Sequence, residues 1–463
     1  MIIQKFVNRE EELSRLRDAF KKNALVIVYG RRRVGKTRLL IEAVKDVPHL
    51  YHLCKEEEVN ETLKALSMKL FRLTGKEEFI RKPVNSFEEF LEALPSGVVL
   101  ILDEFQVLVR NHPRVLGVLQ EYLDFNQKNP IVLCGSSVSM MEELTGYGSP
   151  IYGRRTLSLK IEPLKFWHIG EFFPDYGIEE LVKTYAVLDG IPEYLLRFDP
   201  ALSPEENIRQ EFFERGFLYS EAEFLLRYEL RDLSTYNTIL EAVGYGNRSF
   251  GEIRNATGID GSKLPRYIST LIELGILRKE VPVTLKGKEK IRSRNARYFI
   301  ADNYFAFYYT FVHPFKEEIE LGLLEEPLEN FKRNFNRYLG FIFEKIAKQF
   351  LIELNKANRL PFRFTKIGRW WHKSEEIDLV ALNEREGKAL FVEVKWKDLS
   401  EREARRILRD LERKAELVGL EGWEHSCGLV AKRVEEKDKL RAEGWLIWDL
   451  EDFERLISHK EEV

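Results

Sequence analysis

Apolar residues fall along this chain in several patterns, and each predicts a different kind of element. In the first third, residues 24–29, 98–102 and 131–133 are short continuous apolar runs rich in β-branched side chains. Runs without polar alternation suit strands covered on both faces, and such strands belong to a parallel sheet between helices. From about residue 205 to 233 the period turns helical, with Phe212, Phe213, Phe217, Phe224, Leu225 and Leu226 forming an apolar stripe that predicts a helical connector. Residues 236–243, 250–256 and 262–274 then read as three helices, followed by a Lys/Arg-laced segment at 282–297. Helix, turn, helix, turn, longer helix and basic hairpin is the order of a winged helix-turn-helix. Ser262, Lys263, Arg266 and Tyr267 fall on the first turns of its recognition helix, where base or phosphate contacts would be made. The aromatic run Tyr304, Phe305, Phe307, Tyr308, Tyr309 and Phe311 predicts a packed helix rather than a base-stacking platform. Residues 325–329, with Pro327, read as a boundary; beyond it come a helix at 331–354, strands at 376–382 and 389–395, and a helix at 401–417.

Length and composition set limits on these elements. The 463 residues allow about three domains of ~150 residues each. With 44% hydrophobic and 32% charged residues the chain is globular, and its net charge of -3 argues against wholesale coating of nucleic acid. A local basic stripe inside a neutral whole could still contact DNA. Cys54, Cys134 and Cys427 are far apart, odd in number and without a CxxC pair, so neither a disulfide framework nor a zinc site is predicted. The first residues lack a basic region followed by an apolar stretch, and no apolar run approaches the ~20 residues of a spanning helix. A cytoplasmic protein without signal peptide or membrane anchor is the expectation.

Candidate chemistry is sharpest where the first apolar run ends. Gly30, Arg31, Arg32, Arg33, Val34, Gly35, Lys36 and Thr37 match GxxxxGK[ST] between a strand and a helix. Gly30 and Gly35 let the backbone curl so that successive N–H groups face a phosphate; Lys36 neutralises β/γ oxygens and Thr37 ligates Mg²⁺. Arg38 follows on the first turn of the helix. The loop arginines are expected to point away, because the backbone faces the nucleotide. The run at 98–102 ends in Asp103 and Glu104, at the strand end where α/β folds hold their ligands. Asp103 would hold the Mg²⁺ shell and Glu104 would orient the attacking water. Ser136, after the next strand, could present a hydroxyl to the γ-phosphate, and Arg155 could reach the transferring phosphoryl group in cis or from a neighbouring subunit.

The segments FVNREEEL from Phe6, YGRRRVGKT from Tyr29, LDEFQ from Leu102, GSS from Gly135 and DGIPEYL from Asp189 resemble the archaeal ATPase family within the STAND class of signal-transduction ATPases, over roughly residues 1–230. The resemblance implies that Asn8 and Arg9 lie near the adenine and that Pro192 belongs to a helical domain behind the nucleotide.

The last third carries a second cluster. Asp378 ends one strand, and Glu393 and Lys395 share a face of the next because strand side chains alternate. Two carboxylates can hold Mg²⁺ or Mn²⁺, while a lysine can orient water or stabilise a pentavalent phosphate. Glu344, on the preceding helix, could supply a further ligand. The pattern resembles the PD-(D/E)xK nuclease superfamily over about residues 327–463, with Ile377 in place of Pro before Asp378. It is also similar to the C-terminal domain that accompanies archaeal ATPases of this type, including the stretch that holds Lys414.

The expected architecture is α/β: a P-loop domain at 1–165, a helical lid at 166–233, a winged helix-turn-helix at 234–326 and a restriction-endonuclease-like α/β domain at 327–463. The expected activity is Mg-dependent ATP hydrolysis that switches action on DNA, with a homo-oligomer or partner protein as further possible associations. The alternative is a non-catalytic regulator whose last two domains only bind DNA or protein.

Overall fold

The computed structural model of the chain describes residues 6–461 except 231 and 294. It divides into two compact units, one of Met1–Leu164 with Ile191–Glu193 and Glu273–Gly275, the other of Lys165–Gly190, Tyr194–Ile272 and Ile276–Val463. In the first, strands β1 (Leu25–Tyr29), β2 (His49–Leu53), β3 (Val99–Asp103), β4 (Ile131–Gly135) and β5 (Leu157–Lys160) form a sheet in the order β2-β3-β4-β1-β5. Every pairing is parallel. Leu25, Ile27, Leu100, Leu102, Ile131 and Leu133 pack on one face, and Val26, Val28, Val99, Ile101, Val132 and Cys134 on the other. Continuous apolar runs are the consequence of covering both faces with helices. Because β4 lies between β1 and β3 and all three run the same way, the loops at their C-terminal ends emerge side by side at one edge of the sheet.

Gly30, at the end of β1, has φ +154°, and a Cβ built there would stand 2.4 Å from the carbonyl oxygen of Ile161. No side chain fits against that backbone. Gly30→Ala should therefore lower stability by about 2–4 kcal/mol, measurable by denaturant unfolding; an unchanged midpoint would contradict this packing.

In the second unit, helices Leu233–Gly244, Phe250–Thr257 and Leu264–Glu273 are followed by β6 (Leu277–Glu280) paired antiparallel with β7 (Arg297–Ile300). The helix order is the expected one. The basic segment is not a plain hairpin, because it contains a short helix, Gly287–Arg292. It also packs on the C-terminal sheet: Val283 N donates to Arg369 O at 2.9 Å and Trp371 Nε1 to Asn295 Oδ1 at 3.1 Å. In the connector, Phe212 and Phe213 are buried as expected, but Phe224 faces solvent. A break at residues 214–216 resets the helical phase, with Arg215 at φ +59°. Tyr304, Phe305, Phe307, Tyr308, Tyr309 and Phe311 are all buried, which makes them core.

The helix expected at 331–354 runs over Glu325–Lys356. Pro327 lies inside its first turn, where the missing N–H has no intrahelical acceptor to lose. Beyond it, β8 (Lys366–His372), β9 (Glu375–Asn383), β10 (Lys388–Leu399), β11 (Glu424–Val434) and β12 (Leu446–Trp448) make a mixed sheet in the order β12-β11-β10-β9-β8. The pairs β8/β9 and β9/β10 are antiparallel, and β10/β11 and β11/β12 parallel, the helix Glu401–Glu416 crossing from β10 to β11.

Asp189 ties this unit together. Its carboxylate accepts from Lys345 Nζ at 2.6 Å, Asn303 N at 3.0 Å and Gly190 N at 2.9 Å. Burial alone would raise its pKa, but Lys345 and the two N–H groups hold it below the usual carboxylate value. A depressed carboxylate pKa contributes stability that is complete at neutral pH and lost only as pH falls through the folded value. Asp189→Asn should thus cost about 2–3 kcal/mol at pH 7 and flatten the acid limb of a stability–pH curve. A variant with the parent's stability at pH 7 would contradict that role.

Candidate functional site

The loop after β1 leads into the helix Lys36–Ala43, whose N-cap, Gly35, has φ +92° and offers no capping side chain. The first N–H groups of that helix are thereby left for an anion. Lys36 is buried and folds back over the loop, its Nζ donating to Gly30 O at 2.8 Å and Arg31 O at 2.9 Å. Burial lowers its pKa, opposed by the charges of Glu104 and Asp103. A phosphate oxygen offers the ammonium a stronger, charge-assisted acceptor than either carbonyl.

From β3, Asp103 Oδ2 accepts from Thr37 Oγ1 at 2.7 Å and from the Tyr51 hydroxyl at 2.8 Å, while Oδ1 accepts from Glu104 N at 2.9 Å. A threonine hydroxyl and a carboxylate held together are hard oxygen donors, so the residues present fit Mg²⁺. Glu104 sits at φ +54°, which swings its carboxylate out of the strand direction. There it accepts from Ser136 Oγ at 2.6 Å and from the Gln106 amide. Ser136, buried beyond β4, is also 3.3 Å from Gln106 Nε2. Tyr51 was not signalled by any motif, and Gln106, the last residue of the LDEFQ segment, was given no role there. Gln106 could have been found, two residues after Glu104; Tyr51 reaches Asp103 only through the pairing of β2 with β3.

The other residues expected at this site are placed unevenly around the loop. Arg9 commits its guanidinium to Glu12 at 3.0 Å and to the carbonyls of Glu162 at 2.6 Å and Val34 at 3.5 Å, so it anchors the opening segment to the loop. Asn8 precedes it at φ +45°. Arg31 and Arg32 are half-buried, and Arg33, at φ +67°, lies 3.7 Å from Glu193. The Val34 side chain is wholly buried in the apolar core, which leaves only its backbone for a phosphate. Arg38 is exposed on the helix. Pro192 stands at the loop, its Cγ 4.0 Å from where a Gly35 Cβ would be. Arg155 is exposed, and among the described residues nothing holds it by hydrogen bond or ion pair, whereas Arg154 is bound to Asp124 through two 2.7 Å contacts.

The second cluster forms where β9 and β10 part. Their ladder ends at Leu379↔Val392, and from there Asp378 and Glu393 face each other across the strands. Asp378 Oδ2 takes the N–H of Val394 at 2.8 Å in place of a ladder carbonyl. Lys395 Nζ bridges the carboxylates, 2.6 Å from Glu393 and 3.1 Å from Asp378. A register shift in the β10/β11 ladder falls immediately after Lys395, and bulges of this kind re-aim side chains beside active sites. Burial and the neighbouring Asp378 charge push the Glu393 pKa up. Burial would do the same to Asp378, but Lys395 and the Val394 N–H hold it down. One low and one high carboxyl beside a lysine can take a divalent cation or share a proton.

Two findings alter the expected ligand set. Lys414, from the helix Glu401–Glu416, contacts Glu393 Oε1 at 2.9 Å and adds a second ammonium. Glu344 is engaged by the Arg369 guanidinium. Burial pushes the Glu344 pKa up to about 8, Arg369 pulling it down and Asp378 pushing it further. Among the described residues no three acidic, His or Cys side chains gather as a metal site, so Glu344 does not stand as a third ligand in this arrangement. On the helix Leu264–Glu273 and the turn before it, Ser262, Lys263 and Arg266 are exposed. Tyr267 instead packs edge-on against Tyr236, with ring centroids 5.1 Å apart.

Residues 6–198 match the family described as "ATPase domain predominantly from Archaea", and residues 308–407 match "Archaea bacterial proteins of unknown function". An uncharacterized protein of Methanocaldococcus jannaschii is 42% identical over 456 residues, which is 97% of this chain and 100% of that one. Among solved structures, the Walker-type ATPase of Pyrococcus abyssi aligns with TM-score 0.51 and 22% identity, over 66% of this chain and 96% of its own. That likeness concerns the fold. The ORC2 protein of Aeropyrum pernix, at TM-score 0.44 and 15% identity over 70% of this chain and 95% of its own, is too distant to carry an argument. Among the described residues no helix is long and apolar enough to cross a membrane.

Proposed function

Since the chain belongs to the archaeal P-loop ATPase family that carries this C-terminal domain, we propose that it hydrolyses ATP to ADP and phosphate with Mg²⁺ and uses the nucleotide state to switch its action on DNA. The observation that carries the reading is the 2.7 Å hydrogen bond from Thr37 to Asp103, which joins the phosphate loop to the acidic strand end. Lys36 and the helix N–H groups bind the β- and γ-phosphates. Glu104 receives the proton of the attacking water, and Ser136 and Gln106 keep its carboxylate aimed. Thr37 and Asp103 would hold Mg²⁺, which supplies charge neutralisation at the phosphates. Arg155, exposed and unengaged, is available to the γ-phosphate of a neighbouring copy.

At the C-terminal domain we assign Asp378, Glu393 and Lys395 to phosphodiester cleavage. The convergence of Asp378 and Glu393 on Lys395, at 3.1 Å and 2.6 Å, supports the nuclease-like reading over a docking module. Asp378 and Glu393 would hold Mg²⁺ or Mn²⁺, whose chemistry there is to polarise the phosphate and acidify water. Lys395 stabilises the added charge on the phosphate. Ser262, Lys263 and Arg266 would meet the DNA backbone from their exposed turn. The test is an assay of phosphate release and DNA cleavage by the full chain on single-stranded, duplex and branched DNA, with and without ATP and Mn²⁺. Release of phosphate with metal-dependent cutting supports the whole reading. Release without cutting of any DNA form leaves the ATPase assignment and removes the nuclease one.

A further inference from the structure

The second unit carries a partly open cavity of about 230 Å³ lined by other residues than the Asp378, Glu393 and Lys395 cluster. It is lined from the end of the helix Leu233–Gly244, the β6/β7 ribbon, the buried aromatic segment and the long helix Glu325–Lys356. Among the described residues its wall carries five cationic side chains, Arg248, Arg278, Arg337, Lys345 and Arg369, and no carboxylate. Three of these are already neutralised from behind the wall: Arg278 by Glu280, Arg369 by Glu344, and Lys345 by Asp189 at 2.6 Å. Arg248 and Arg337 have no carboxylate within ion-pair distance among the described residues.

Arg248 is the more telling of the two. Its guanidinium is clamped between the rings of Phe341, 4.2 Å away, and Phe299, 4.8 Å away. Burial and the nearby Arg369 pull its pKa down, against the opposing charges of Glu344 and Glu376. Keeping an unpaired guanidinium in a largely buried place is costly unless an anion completes it. The rest of the wall mixes Asn330 and Asn334 with apolar Val243, Ile300 and Ala306. At ~30 Å³ per water, the space exceeds what an inorganic anion fills.

We propose that this cavity is a receptor site for a small organic phosphate, of the size class of a nucleoside monophosphate. Its dianionic group pairs with Arg248 and Arg337, and its body lies against the apolar wall. Two free guanidinium groups match the charge of one phosphate monoester, and their planar forks suit its oxygens. Arg369 lines the same cavity while binding Glu344, so an occupant would touch the residue that restrains Glu344 beside Asp378. The binding claim does not depend on either catalytic assignment.

The test titrates AMP, inorganic phosphate and a 12-nucleotide oligothymidylate into the full chain carrying Lys36→Ala, by calorimetry. The expected result is one AMP per chain, bound at least about tenfold more tightly than inorganic phosphate and than the oligonucleotide. Arg337→Ala, at an exposed position, and Arg248→Lys, which keeps the charge and loses the fork, should each weaken AMP about tenfold or more. No AMP binding at millimolar concentration, or binding that both substitutions leave unchanged, overturns the proposal. So does an oligonucleotide that outcompetes AMP, since the cavity would then read a strand, or inorganic phosphate binding as well as AMP.

Discussion

Glu104→Gln binds ATP with the parent's affinity and hydrolyses it about 10²–10⁴-fold more slowly. The amide retains the size of the carboxylate and its contacts with Ser136 and Gln106, so the loop, Lys36, Thr37 and Asp103 stay as they are. What is lost is the base, whose absence costs that factor when proton transfer is part of the transition state. Single-turnover phosphate release beside an equilibrium binding curve separates the two quantities. Equal turnover by the variant would move the base elsewhere; a parallel loss of binding would make Glu104 a structural strut. Ser136→Ala is expected to give a weaker form of the same phenotype, because it frees the carboxylate without removing it.

The second large effect is expected at the C-terminal cluster. Asp378→Ala deletes one of the two opposed carboxylates and leaves the Val394 N–H without its acceptor. Metal-dependent DNA cleavage should disappear. Lys395→Ala should slow it about 10²–10³-fold, the usual effect of removing one group that stabilises transition-state charge. Lys395 also holds Asp378 and Glu393 together, whereas Lys414 pairs with Glu393 and with Asp410 on its own helix. Without Lys395 the carboxylates repel, and the Glu393 pKa rises further. Both variants should keep full ATPase activity, because the two sites lie in separate compact units. Cleavage that survives Asp378→Ala would exclude this cluster from the chemistry.

The sequence disclosed most where one residue type has one physical use. Runs buried on both faces, in β1, β3 and β4, read as strands because nothing polar interrupts them. The edge strands β2 and β5 carry His49, His52, Ser158 and Lys160 and gave no such signal. The motif around Gly30 and Lys36 was legible because backbone curl, ammonium and hydroxyl must stand at fixed spacing. The alternation that puts Glu393 and Lys395 on one face was equally legible. Partners that arrive from distant segments were not: Tyr51 at Asp103, Lys414 at Glu393 and Arg369 at Glu344 are set by packing. Phe224 shows the converse failure, an apolar residue at helical spacing left in solvent when the break at 214–216 changed the phase.

A triphosphate held by the loop from Gly30 to Thr37 is the premise of every functional assignment in the first unit. Equilibrium binding of Mg-ATP to the full chain, compared with Lys36→Ala, tests this most directly. The parent should bind saturably, and the variant, deprived of one charge-assisted contact in a buried site, should lose about 100-fold in affinity. Equal affinity of the two chains for Mg-ATP would contradict it.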